Sequence, residues 1–73
     1  MQKNSIFQDQ KISHNIIYDL LEKNKEKGVS ITELVELSRL TRSAVRIILA
    51  KFEGAGLVVI RPAGMTKLYF INN

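Results

Sequence analysis

The feature that most constrains this chain is a three-residue break, Ser38-Arg39-Leu40, between two short amphipathic helical patterns that each carry their own start signal. Upstream, Ser30-Ile31-Thr32-Glu33 spells a capping box, in which the serine oxygen and the glutamate carboxylate satisfy backbone N–H groups left open at a helix start. Leu34, Val35 and Leu37 give that helix an inner face. Downstream, Thr41 is placed to cap a further helix, in which Val45, Ile48, Leu49 and Phe52 fall within one narrow sector. Two short helices joined by such a turn form a helix-turn-helix.

The flanks complete the layout. Ile12, Ile16, Ile17, Leu20 and Leu21, three and four residues apart, draw one apolar stripe down a helix over about residues 13–27. Ser13 is the expected N-cap, with Ile12 and Ile17 as a hydrophobic staple, and Gly28 the stop; a start near Gln8 is the alternative. Residues 1–12 are then an N-terminal arm or a helix extension. Asp19, Glu22, Lys23 and Glu26 take the wet face, where Glu22 and Glu26 are expected to pair with lysines. After Gly54-Ala55-Gly56 the period shortens to nearly two, which predicts a β-hairpin over 57–61 and 66–71 around a four-residue tip, Pro62-Ala63-Gly64-Met65. Val29 adds a short strand between the first two helices. The expected fold class is α+β, in the order α-β-α-α-β-β.

A chain of 73 residues has room for one domain, 1–73, and one modest core, because its folding buries only roughly 60% of the surface the unfolded chain exposes. With no cysteine, neither disulfides nor thiolate metal sites can supplement packing. With His14 the only histidine, a metal site would need an all-carboxylate remainder that the sequence does not gather, and no Ser/His/Asp set or glycine-rich phosphate loop is present. No catalytic residue, metal or cofactor is therefore expected, and the protein is not read as an enzyme. No apolar run resembles a signal peptide or reaches transmembrane length, so a cytoplasmic location without membrane contact is the expectation.

The net charge of +4 is unevenly spread: +1 over residues 1–12, −2 over 13–37, +3 over 38–56 and +2 over 57–73. Arg39, Arg42, Arg46 and Lys51 stand together with no acid among them until Glu53. Such placement favours a polyanionic partner more than the total does.

The stretch SITELVELSRLTRSAVRIILAKFEGAGLV, 29 of the 73 residues, resembles the winged helix-turn-helix regulators of bacteria and archaea, above all the DNA-binding modules of the IclR and MarR types. Leu34-Val35, the run Leu40-Thr41-Arg42-Ser43-Ala44-Val45 and Gly56-Leu57-Val58 carry the resemblance. Each also has a local reason: Leu40 plugs the angle between helices, Val45 locks the later helix to the core, and Gly56 allows a positive φ. Arg39 departs from the pattern by standing where these families usually have glycine, so either it takes a left-handed conformation or the turn differs.

The resemblance implies a sequence-specific regulator that puts the helix after Thr41 into the major groove of double-stranded DNA and lays the hairpin wing on the backbone or minor groove. The implied contact set is Arg39, Thr41, Arg42, Ser43, Arg46, Ile47, Lys51, Arg61 and Lys67. Arg42 and Ser43 at the helix start suit phosphate oxygens, whereas Arg46, one turn deeper, suits a guanine edge. Ile47 reads either as a contact to thymine methyls or as an ordinary exposed apolar residue. Arg61 and Lys67 flank the hairpin tip, as wing contacts or as edge-strand charges that oppose aggregation. A chain ending just after the wing leaves a homodimer to the N-terminal segment and first helix, with Ile6 and Phe7 as unassigned apolar residues. The alternative function is a protein-interaction winged helix, a scaffold in a transcription or replication assembly, which a contiguous patch of Ile6, Phe7 and Ile47 would favour.

Overall fold

The computed structural model describes the backbone of residues 2–72 and the side chains of residues 12–72. Three helices, α1 (Gln2–Lys23), α2 (Ile31–Ser38) and α3 (Arg42–Gly54), precede an antiparallel hairpin of β1 (Val58–Ala63) and β2 (Thr66–Ile71). Val29 meets Tyr69 of β2 in a single isolated bridge and forms no strand of its own, so the α+β class holds with the order α-α-α-β-β.

Ser13 does not start α1. The helix runs for 22 residues, with Ser13 at its middle, because no glycine or proline interrupts the chain before Gly28 and Gln and Lys are good helix formers. It also ends earlier than the periodicity suggests. The Asn24 side-chain amide donates to the Leu20 carbonyl (2.8 Å), while the Asn24 backbone N–H turns to Leu21 (3.2 Å). The side chain thus displaces the bond that would continue the helix, and residues 24–27 form a turn. On the wet face the ion pair is Asp19–Lys23 (3.2 Å); among the described residues Glu22 and Glu26 make none.

Ile17 and Leu21 of α1, Val29, Leu34 of α2, Val45, Ile48, Leu49 and Phe52 of α3, Val58 of β1 and Tyr69 of β2 make one core. At about 1.5–3 kcal/mol for each fully buried large apolar side chain, this cluster holds the three helices to the hairpin. The anticipated sector of α3 is the buried one. Two expected inner residues are not: Ile12 and Leu37 are 54% and 58% exposed, since each apolar stripe is wider than the neighbour that covers it. Tyr18 and His14 pack edge-on to the Phe52 ring, with centroids at 6.0 and 5.7 Å.

The capping box at Ser30 forms in full, with the Glu33 N–H donating to Ser30 Oγ (3.1 Å) and the Ser30 N–H to Glu33 Oε1 (3.1 Å). In the turn, Arg39 takes the left-handed conformation, φ 65° and ψ 15°, and its N–H closes α2 on the Val35 carbonyl (2.9 Å). The Leu40 N–H then donates to Ser38 Oγ and Thr41 Oγ1 accepts from the Ala44 N–H, both at 3.1 Å, so the turn holds the strained residue from both sides. Arg39→Gly is expected to stabilise the fold by roughly 0.5–1 kcal/mol, the left-handed strain relieved less the entropy glycine adds to the unfolded chain. A urea midpoint that stays put or falls would contradict this.

A Schellman motif ends α3, with the Leu57 N–H on the Phe52 carbonyl (2.8 Å), the Gly56 N–H on Glu53 (3.0 Å) and Gly56 at φ 76°. Asn72 ties the far end of the hairpin to this junction, donating from its backbone to Leu57 (2.8 Å) and from its side chain to the Gly56 carbonyl (3.0 Å). The hairpin tip has two residues, Gly64 and Met65, not four: Pro62 pairs with Lys67 and Ala63 with Thr66. Proline is tolerated on an edge strand, where its missing N–H faces no partner, and Gly64 at φ 65° supplies the positive φ that a two-residue loop requires at its first position.

Candidate nucleic-acid interface

The core sector of α3 decides what its other side presents. At about 100° per residue, Ser43, Ala50 and Gly54 point directly away from Val45, Ile48, Leu49 and Phe52. Arg42, Arg46 and Glu53 lie to one side of that outward line, Ile47 and Lys51 to the other, and all of these are exposed.

The hairpin stands over the first of these sides. An open concavity of about 560 Å³ separates them, with Arg42, Arg46 and Glu53 on the α3 wall, Met65 and Lys67 on the hairpin wall, and Thr32 at the start of α2 closing one end. Arg42 Nη2 donates to Thr32 Oγ1 (3.2 Å), which draws that guanidinium toward the start of α2 and leaves its other donors open. Among the described residues the one ion pair is Asp19–Lys23, so Arg42, Arg46 and Lys67 have no carboxylate partner there. Glu53, in the last turn of α3, sets a negative charge at the opposite end of the concavity from Thr32. An anionic strand would therefore sit toward the N-terminal half of α3.

The strand register separates the two hairpin cations. Opposed residues share a face, and Lys67 is paired with Pro62 while Arg61 is paired with Leu68. Lys67 thus lies on the face of Tyr69, Ile60 and Val58, toward α3. Arg61 lies on the other face, its guanidinium 5.9 Å from the centroid of Phe70, beside Lys25 and Glu26.

Of the residues named from sequence, the structure brings Arg42, Arg46 and Lys67 around one concavity, with Ser43 and Ile47 on the adjoining surface of α3. Thr41 is engaged as the helix cap, Arg39 stands in the turn before it, Lys51 is on the far flank and Arg61 faces away. Ile47 is 58% exposed. Sequence reasoning missed Thr32, Glu53 and Met65. The Thr32–Arg42 bond joins different helices and has no periodic signature, whereas Glu53 falls in the sector of Arg42 and Arg46 and could have been found by the same rotation. Ile6 and Phe7 lie outside the residues whose side chains are described.

Compared with models of the known protein families and with curated proteins, the chain matches none. No helix among the described residues is long and apolar enough to cross a membrane.

Proposed function

We propose that this protein is a sequence-specific transcriptional regulator that binds double-stranded DNA, with α3 in the major groove and the hairpin on the adjacent backbone or minor groove. The observation that carries the reading is the concavity between α3 and the hairpin, with Arg42 and Arg46 on one wall and Lys67 on the other, none of them ion-paired among the described residues, and its one acid, Glu53, in the last turn of α3. A phosphate strand seated there meets positive charge from two directions, while Ser43 and Arg46 project into the groove that α3 occupies. Arg46 reads a base edge, and Ile47 contacts thymine methyls from the same surface. The protein works in the cytoplasm as a homodimer paired through the N-terminal segment and α1.

The test is a low-salt anisotropy titration on a labelled random-sequence duplex. Binding is expected to exceed that of a charge-matched basic peptide, and Lys67→Ala to weaken it for all sequences alike. Binding no better than the peptide's would refute the reading.

A further inference from the structure

Met65 is the most exposed large apolar residue among those described, at 105%, against 58% for Leu37 and Ile47. It sits on a two-residue turn at the end of a ladder of six residue pairs. The side chain therefore touches nothing in the protein, yet the backbone beneath it is held firmly. An apolar side chain in this position adds nothing to the fold, and water gains nothing from it.

The surroundings narrow its role. Pro62, Ala63, Gly64 and Thr66 are exposed and uncharged, so the tip carries no cation to read the minor groove by charge, and its one polar side chain is the Thr66 hydroxyl. The cation serving that end of the hairpin is Lys67, set back on the wall of the concavity. Met65 lines the same concavity from the wall opposite Arg42 and Arg46. A sugar-phosphate strand lying between those walls has the major groove on its α3 side, and hence the minor groove on its Met65 side.

From this placement, which rests on the DNA-binding reading, we infer that Met65 is a wedge: it enters the minor groove next to the major groove held by α3 and parts a base step there. Unstacking one step exposes an apolar slot that takes the thioether chain, and the duplex kinks toward the major groove, closing onto α3. Lys67 holds the strand while the tip inserts.

The experiment uses the full chain and a duplex of about 30 bp, long enough for three turns, selected from a random-sequence pool by repeated capture on the wild-type protein. Bending is read by energy transfer between end-labelled strands, and unstacking by 2-aminopurine fluorescence at successive steps. Wild type is expected to bend the duplex by roughly 20–90° and to brighten 2-aminopurine at one step. Met65→Ala, which removes no contact within the protein, is expected to abolish both signals and weaken binding roughly tenfold, as loss of a buried methionine chain implies. Met65→Leu is expected to restore them. If Met65→Ala bends and binds the selected duplex as wild type does, the wedge is overturned while DNA binding stands. If the wild-type protein captures no duplex, both fall.

Discussion

Gly28→Ala is expected to destabilise the fold by roughly 2–4 kcal/mol, from left-handed strain and an overpacked contact acting together. Gly28 has φ 78°, and a Cβ there would stand 2.6–2.9 Å from three atoms of the Phe70 ring. The Phe70 ring is half-buried with the Arg61 guanidinium 5.9 Å from its centroid, so the clash is relieved only by moving the ring and giving up part of its packing. A domain of this length has about 4–11 kcal/mol of stability in all, at roughly 0.05–0.15 kcal/mol per residue, so the single methyl removes a large share. Gly56→Ala is the control. Its φ is 76°, but nothing lies within 4 Å of the added carbon, so it carries the strain without the clash. In urea denaturation Gly28→Ala should unfold at distinctly lower concentration than Gly56→Ala; equal midpoints would contradict the packing of Phe70 on Gly28.

Arg46→Ala is expected to have the largest effect on DNA binding, about 1–3 kcal/mol, which is roughly fivefold to more than a hundredfold in affinity for a preferred duplex. The loss should fall on sequence preference, because Arg46 lies a turn inside the helix start, beyond reach of the first phosphates that Arg42 and Ser43 face. Its side chain is exposed, so the fold should be unaffected. The check is competition between selected and scrambled duplexes: the variant should bind the two nearly alike. Retained discrimination would move base reading to another residue.

Much of this was legible in the sequence, for reasons particular to each element. The inner face of α3 is read from four apolar residues within a single capped helix, where cap and periodicity agree. At Arg39 the sequence leaves a left-handed residue and a different turn equally open, and the φ of 65° decides for the first. Ser13 misled because a capping residue is a local signal, whereas whether a helix continues depends on the absence of a breaker upstream. Asn24 ended α1 through a side-chain bond that apolar periodicity does not register. Pro62 was read as a turn residue, although an edge strand accommodates it, and the tip shrank to Gly64 and Met65. At the candidate site, α3 could be oriented from its own sequence. Which hairpin cation faces α3 depended on the pairing register together with knowing which face packs on the core. The bond from Arg42 to Thr32 depended on how two helices cross, and no spacing within either helix encodes that.

The grip of Arg42 and Lys67 on a phosphate strand between α3 and the hairpin, with Arg46 left to read the bases, is tested by the salt dependence of duplex binding. With two phosphates neutralised, by Arg42 and Lys67, the logarithm of the binding constant should fall linearly against that of salt concentration with a slope of roughly −1.8, at about 0.9 per phosphate, or more steeply where further cations engage. Lys67→Ala should reduce the slope by about one. A slope near zero, or one that Lys67→Ala leaves unchanged, would contradict the account.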